Sequence, residues 1–168
     1  MILTITGTPG TGKTYLGEKI AEATGMEYFD LNRYIKKNKL YTSYDKKDKT
    51  YDVDVKRIKK LNKSFSKHHS KNLIMNKLVN KNIDIKKIIN TTKEIKKSSG
   101  IIIDSHLSHY LDSDYCIVVK SDITNISKRL KDRGYAKNKI KDNVESEIFD
   151  ICLIEAKSLK RKIIIVNN

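Results

Sequence analysis

The chain has 168 residues, of which 38% are hydrophobic and 33% charged, and its formal net charge is +15. This length is typical of one domain that buries a core, and no apolar run approaches the ~20 residues that a membrane helix requires. The first strand-like run begins at the N-terminus, which leaves no room for a signal peptide. Cys116 and Cys152 lie far apart, so we expect buried thiols in a reducing, cytoplasmic compartment and not a disulfide or a metal site.

The segment Gly7 to Thr14 matches the pattern G-x-x-x-x-G-K-S/T of the phosphate-binding P-loop. A short β-branched run precedes it, and a helical pattern that extends to Thr24 follows it. This order of strand, glycine loop and helix is the context that the motif requires. A glycine turn without a ligand is the alternative, which the context disfavours. The motif therefore predicts a site for a nucleoside triphosphate.

The chemistry of such a loop assigns roles to its residues. Gly10 and Gly12 allow successive backbone N–H groups to turn toward an anion, and the helix N-terminus adds a partial positive charge. We expect Lys13 to reach the β- and γ-phosphates of ATP. We expect the Thr14 hydroxyl to ligate the Mg²⁺ that accompanies ATP.

The middle of the chain has weaker patterns. Residues 26–30 are typical of a short strand, and 31–38 of a short helix. Residues 41–54 interleave tyrosines with aspartates and predict an ordered loop beside the nucleotide site. Residues 63–97 predict a helical hairpin, inserted or extended, with basic outer faces.

Basic residues are concentrated between Lys56 and Lys97, where fourteen Lys/Arg accompany only Asp84 and Glu94. Such a concentration favours a polyanionic partner such as RNA. Because the whole chain is rich in Lys, Asn and Ile, a solvated basic face without a partner is an equal alternative.

The second half alternates apolar strands with helices. Residues 101–104, 115–119 and 162–166 are the strands, and we expect a helix that begins at Asp122 and a longer one that begins at Asp142. Five strands separated by helices and opened by a P-loop predict a three-layer α/β P-loop NTPase fold with a five-stranded parallel sheet.

Four further side chains could carry chemistry. Asp104 ends its strand where ligands of open α/β sheets bind, so a role in holding Mg²⁺ is favoured over a simple cap. Arg129 and Arg133 share one helix face, and guanidinium groups there could stabilise a transferring phosphoryl group. His106 follows Asp104 closely, and on chemistry alone a structural role is favoured for it.

These motifs together resemble the adenylate kinase isoenzyme 6 family, small P-loop proteins with adenylate kinase and ATPase activity that assist small-subunit ribosome assembly. The resemblance rests on Gly7 to Thr14, Tyr41-x-x-Tyr44-Asp45, Asp104-Ser105-His106, and the run from Arg129 to Tyr135, with Asp142-Asn143 and Glu147-Ile148-Phe149 beyond. It covers about residues 2–54 and 100–166. It implies a single kinase domain over residues 1–168, similar to the nucleoside monophosphate kinases.

The resemblance also implies site assignments. Gly10, Gly12, Lys13, Thr14 and Tyr15 would contact ATP, about residues 30–53 would bind the nucleoside monophosphate, and about 132–142 would form a lid entered by Arg133. Asp104 and His106 match the family's D-x-H motif, which raises His106 to a water-positioning or relay residue. Where relatives place an arginine for the acceptor phosphate, this chain has Lys36, with Arg33 one turn earlier.

The sequence thus predicts a monomeric, cytoplasmic adenylate kinase and ATPase that uses Mg-ATP and AMP. The resemblance adds a role in small-subunit and 16S rRNA maturation, with ribosomal protein S11 and rRNA as partners. Two alternatives stay open: a nucleotide-switched RNA- or ribosome-binding factor whose turnover is incidental, and a small-metabolite kinase on the same fold.

Overall fold

A computed structural model describes residues 1–46, 50–70, 72–95 and 99–168. The core is a sheet of six parallel strands in the order β2-β6-β1-β7-β8-β5. The strands are β1 (Ile2–Thr6), β2 (Glu27–Asp30), β5 (Asn82–Asp84), β6 (Ile101–Asp104), β7 (Tyr115–Lys120) and β8 (Ile163–Asn167), and β3 (Tyr41–Asp45) pairs with β4 (Thr50–Val53) in a separate antiparallel hairpin. Among the described residues, no helix is long and apolar enough to cross a membrane.

The helices cover both faces of the sheet. They are α1 (Lys13–Thr24), α2 (Leu31–Lys37), α3 (Val55–Lys60), α4 (Asn62–Phe65), α5 (Leu73–Asn76), α6 (Ile85–Thr92), α7 (Ile123–Asp132), α8 (Lys137–Ile148) and α9 (Ile151–Ser158). On one face, α1, α5 and α6 pack around Leu3, Ile5 and Ile102. On the other face, α2, α3 and α4 pack around Ile2 and Ile103, and α9 packs around Cys116 and Val118. The chain therefore has the predicted three-layer α/β architecture.

The sheet has six strands and not the predicted five. The sixth is β5, whose three residues pair in parallel with β8 from Asn82↔Ile165 to Asp84↔Asn167. The isoleucines on either side of β5 have helical spacing, which concealed so short an edge strand.

The described residues of the segment 63–97 do not form the predicted helical hairpin, because they cross from one face of the sheet to the other. Phe65 belongs to the core beneath α2, whereas Met75 and Ile88 belong to the core beneath α1. Between them, the Ser70 backbone N–H and the His69 ring contact Asp114, which also accepts a hydrogen bond from the backbone N–H of Ile2. Asp114 precedes β7, so this segment runs along the edge of the sheet where the strands begin.

Two further expectations are corrected. The interleaved tyrosines of residues 41–54 form the β3–β4 hairpin and not a loop, and the Tyr51 ring stacks at 4.6 Å from that of Tyr44. The helix expected from Asp142 begins at Lys137 and ends at Ile148, and α9 follows after a break at Asp150, whose φ is 53°. An Asp tolerates this left-handed conformation better than most residues, which allows the chain to turn there.

Candidate active site

The P-loop joins β1 to α1 at the carboxyl edge of the sheet. Gly12 occupies the N-cap of α1 with φ 99°, a left-handed conformation that favours glycine. The Lys13 ammonium group is buried and donates a hydrogen bond of 2.9 Å to the Thr8 carbonyl oxygen. Burial lowers the pKa of Lys13, and the nearby Asp104 carboxylate opposes that effect. The loop thus holds its lysine in place at the start of the helix.

Asp104 lies across from Thr14 at the end of β6. Its Oδ2 accepts one hydrogen bond of 2.8 Å from the Thr14 hydroxyl and another of 2.7 Å from the Tyr28 hydroxyl. Burial and the bond to Asp104 raise the pKa of Tyr28 far above its ordinary value, so the phenol remains a donor. The Tyr28 ring lies beside Gly17 of α1, where an added Cβ would stand 2.7 Å from Cε2. Position 17 therefore needs a glycine if the ring is to lie there.

The other oxygen of Asp104, Oδ1, is buried and has no hydrogen-bond partner among the residues that the structure describes. A buried carboxylate oxygen without a partner is costly, and it suits a cation or the water of a cation's hydration shell. Mg²⁺ prefers oxygen ligands and is held by one or two protein groups together with substrate phosphates. The Thr14 hydroxyl and Asp104 supply that donor set, so these residues fit the metal.

Arg129 of α7 contacts the P-loop directly. Its guanidinium group donates a hydrogen bond of 2.9 Å to the Gly10 carbonyl oxygen. A second contact to the P-loop comes from Asn168, whose side-chain amide donates at 2.8 Å to the Thr11 carbonyl oxygen. Arg133 is exposed at the end of α7, and its positive charge contributes to lowering the pKa of Lys13.

His106 follows β6 and opens toward solvent at the same edge of the sheet. The surrounding protein desolvates its ring, and together with the charge of Lys13 this lowers its pKa to about 4. The imidazole is therefore neutral near pH 7 and can accept a proton or orient a water molecule. Its backbone carbonyl accepts a hydrogen bond of 3.2 Å from the Thr6 hydroxyl.

A cavity of about 540 Å³ lies beside the P-loop at the carboxyl ends of β7 and β8. Its lining includes Ser121, Ile123, Ile148 and Asn168, together with Glu147, which accepts a hydrogen bond from the Ser121 backbone N–H. Its volume is in the range of small-molecule sites, and apolar and polar side chains share the wall.

The β3–β4 hairpin contacts both α2 and α8. The Lys36 ammonium group lies 5.3 Å from the centre of the Tyr51 ring, and Arg33 is exposed nearby on α2. From the opposite side, Lys139 of α8 donates a hydrogen bond of 2.7 Å to the Thr50 hydroxyl. The region around residues 30–53 and the segment 132–142 thus touch each other across the site.

The structure brings together most of the residues that the sequence singled out. Lys13, Thr14, Asp104 and Arg129 converge on the P-loop, whereas Tyr15 is 53% exposed at the start of α1. Sequence reasoning missed Tyr28. The signal for it is the alternation of β2, which places Tyr28 and Asp30 on one face and Phe29 on the other.

A P-loop with its lysine held at the carboxyl edge of a parallel sheet, opposite a strand-ending carboxylate, defines an enzyme of the P-loop phosphotransferase type. The AAA-domain family matches residues 3–150. A protein of Methanocaldococcus jannaschii described as "Putative adenylate kinase" is 32% identical over 157 residues, which cover 94% of this chain and 72% of that protein. A protein of Thermococcus kodakarensis with the same description is 30% identical over 164 residues, which cover 93% of this chain and 70% of that protein.

The chain therefore belongs to the AAA-domain family and to the family of these archaeal adenylate kinase homologues. Among solved structures, an unliganded sugar kinase from Janibacter sp. HTCC2649 superimposes with a TM-score of 0.52 at 12% identity, over 99% of this chain and 84% of that one. At that identity the likeness concerns the fold alone.

Proposed function

We propose that the protein is a nucleoside monophosphate kinase that transfers the γ-phosphoryl group of ATP to AMP, with two ADP as products, and that the same site also hydrolyses ATP. The convergence of Lys13, Thr14 and Asp104 on one P-loop carries this proposal. The names of the archaeal relatives support adenylate as the acceptor.

In this mechanism the P-loop amides and Lys13 bind the donor phosphates. Thr14 and Asp104 would hold Mg²⁺, which would neutralise negative charge on the phosphate oxygens. Arg129 and Arg133 stabilise the negative charge that spreads over the transferring group. Catalysis then depends on positioning and on charge stabilisation, since no covalent intermediate with the protein is required.

The remaining parts of the site have complementary roles. The cavity beside Asn168 accommodates the base of ATP, and the region of about residues 30–53 binds AMP, with Lys36 and Arg33 near its phosphate. Residues 132–142 act as the lid that excludes water during phosphoryl transfer. When the acceptor is absent, water enters, and the neutral His106 ring orients it for hydrolysis.

The test is a time course with purified protein and Mg-ATP, with and without AMP, in which ADP, AMP and phosphate are resolved. The kinase proposal requires that AMP be consumed and that two ADP form for each ATP. Release of phosphate at the same rate with or without AMP would leave only the ATPase. Lys13→Ala must abolish both activities, and Lys19→Ala is the matched control, because Lys19 is on the same helix in an exposed pair with Glu22.

For the biological role we propose that of the isoenzyme 6 family. The protein would act in the cytoplasm as a monomer, in small-subunit and 16S rRNA maturation, with ribosomal protein S11 and rRNA as partners. The support is the resemblance of the motifs, together with the basic surface described next.

The second candidate is a nucleotide-switched RNA-binding factor, and one observation favours it. The basic residues of segment 56–97 that the structure describes are all exposed. Those from Lys63 to Lys81 lie where the segment passes the amino edge of the sheet, opposite the P-loop, whereas Lys86 and Lys87 begin α6 at the carboxyl end of β5. Lys71, Lys96 and Lys97 lie outside the described residues. RNA bound at that surface would leave the nucleotide site accessible.

Deletion of residues 63–97 would remove Met75 and Ile88 from the core and β5 from the sheet, so the test is substitution. Exposed lysines of the segment become glutamines, and RNA affinity is measured against salt. Binding through phosphates predicts a slope that falls by about 0.7 for each lost contact with a single strand. Unchanged affinity and slope would exclude this surface. The lysines to substitute are Lys63, Lys67, Lys77 and Lys81, and the control set is Lys128, Lys131, Lys137 and Lys141.

A further inference from the structure

Two buried threonines lie on the same face of β1 and interrupt an otherwise apolar strand. Thr4 and Thr6 are both fully buried. Thr4 donates to the Ser113 hydroxyl at 3.0 Å. Thr6 directly precedes Gly7 of the P-loop, and its hydroxyl lies 3.2 Å from the His106 carbonyl oxygen and 2.8 Å from Nδ1 of His109. The Thr6 hydroxyl thus stands between the two histidines that follow Asp104.

The His109 ring is almost fully buried, and its other nitrogen faces a carboxylate. Nε2 lies 3.1 Å from Glu155 Oε2 on α9, although the pair is not aligned as a hydrogen bond. The His109 carbonyl oxygen accepts a hydrogen bond of 3.2 Å from Arg161. Among the described residues, the charged and titratable groups around the ring are Glu155, Arg161, Cys152 on α9, His106 and Tyr110, whose ring centre lies 4.3 Å away and whose hydroxyl also contacts Glu155.

The protons of this chain of groups can be counted. The Thr6 hydroxyl has one proton, and the His106 carbonyl can only accept one. If Thr6 donates to that carbonyl, Nδ1 of His109 must carry a proton and donate to the Thr6 oxygen. Both observed contacts of Thr6 are then satisfied together. The Glu155 carboxylate disfavours a bare Nε2 nitrogen, so the doubly protonated ring is the form that satisfies Thr6 and Glu155 at once.

The neutral ring gives the other arrangement. With its proton on Nε2, directed at Glu155, Nδ1 becomes an acceptor and takes the Thr6 proton. The His106 carbonyl then loses its donor. Burial lowers the pKa of His109, Arg161 acts in the same direction, and Glu155 opposes both, so the ring gains its second proton on the acid side of its ordinary range.

We propose that His109 is a positioning residue, which through the Thr6 hydroxyl fixes the main chain at His106 when a proton is on Nδ1, and that Glu155 sets when this happens. The inference depends on the proposed function, because it assigns the consequence to turnover at the P-loop. It goes beyond that function by linking the site to a carboxylate on α9.

The first experiment compares Thr6→Val, Thr6→Ser and Thr4→Val. At acid pH, where the Thr6 hydroxyl donates to the His106 carbonyl, loss of that hydroxyl should lower kcat for ATP about tenfold or more and leave KM unchanged, since misplacement of a reacting group costs on that scale. Thr6→Ser should restore kcat. Thr4→Val is the control, because it removes an equally buried hydroxyl from the same strand without a link to His106. Equal losses of kcat in Thr4→Val and Thr6→Val would overturn the proposal.

The second experiment is the pH profile of kcat in Glu155→Gln. The amide can donate to Nε2, so the neutral ring keeps its proton on Nδ1 and Thr6 stays on the His106 carbonyl. Wild-type kcat should rise as the pH falls from about 6.5 toward 5, on the acid side of the ordinary histidine range, and the variant should be flat over that range. Identical profiles would contradict the proposal.

The third measurement does not need turnover. Nitrogen chemical shifts of the histidine rings in nucleotide-free protein report which ring nitrogen of His109 is protonated. A gain of the Nδ1 proton at acid pH, coupled to a change at His106 that is lost in Thr6→Val, is the expected result. If Nδ1 is never protonated between about pH 5 and 8, the inference fails even in an active kinase. If the wild type has no turnover, the proposed function fails while these shifts still decide the proton placement.

Discussion

Replacement of Tyr28 by phenylalanine tests the arrangement around Asp104. The change removes one hydroxyl that donates at 2.7 Å to a carboxylate only 4% exposed, and it keeps the ring that packs beside Gly17. A hydrogen bond to a charged group contributes about 1.5–3 kcal/mol, so the free energy of unfolding should fall by roughly that amount. For a chain of this size the melting temperature should fall by roughly 3–12 °C.

The functional effect should appear in the dependence on Mg²⁺. Without Tyr28, Oδ2 of Asp104 keeps only the Thr14 donor and the carboxylate can rotate, so ATP should bind with a higher Mg²⁺ requirement. Chemical denaturation without nucleotide gives the stability, and ATP titrations at graded Mg²⁺ give the requirement. Tyr115→Phe is the control, because that hydroxyl is bonded to Asn72 and Asn76 away from the P-loop. The reasoning is refuted if Tyr28→Phe leaves both the stability and the Mg²⁺ requirement unchanged. It is also refuted if Tyr115→Phe shifts the Mg²⁺ requirement by the same amount.

Three further predictions concern the P-loop and His106. Gly12→Ala should cost about 1–2 kcal/mol from its left-handed backbone and should weaken ATP binding, because the new Cβ would meet a neighbouring side-chain amide. Calorimetric titration checks it against Gly25→Ala, which also has a left-handed φ, 72°, but lies at the other end of α1. Arg129→Lys keeps the charge but loses the planar fork, so kcat should fall while the ATP affinity changes less, as steady-state kinetics will show; equal activity would mean that charge alone suffices. The pKa of His106 is about 4 in the folded protein, below the ordinary 6.5, so the unfolded chain binds more protons between these values. The free energy of unfolding should therefore fall as the pH falls from about 6.5 to 4, and denaturant titrations of His106→Asn should show a smaller slope, whereas an unchanged slope would assign the loss to other groups.

The fold class could be predicted because its signals are local. A β-branched run, a glycine loop and an amphipathic helix follow one another within the first 24 residues, and the apolar strands at 101–104 and 115–120 are continuous. Strand β5 could not be predicted in the same way. Its three residues owe their conformation to pairing with β8, about 80 residues later in the chain, and no local pattern records that pairing.

The same distinction between local and tertiary signals applies to the residues of the site. Lys13 and Thr14 follow from the motif, and Asp104 follows from its place at the end of a strand. Tyr28 acts on Asp104 only because β2 and β6 pair in register, with Asp30 beside Asp104. That register is a tertiary property. The alternation of β2 predicts which face of the strand Tyr28 occupies, but it does not predict that Asp104 lies next to it.

The hydrogen bond from Arg129 to the Gly10 carbonyl has a mechanical consequence. It connects α7 to the P-loop, so the helix cannot move without displacing that loop. If residues 132–142 close over bound nucleotide, their pivot must lie beyond Arg129. Gly134 has a φ of 73°, and no atom of the described residues lies within 4 Å of where its Cβ would stand. It therefore has the conformational freedom that a pivot needs. The P-loop can then keep its conformation while residues 132–142 move over the bound nucleotide.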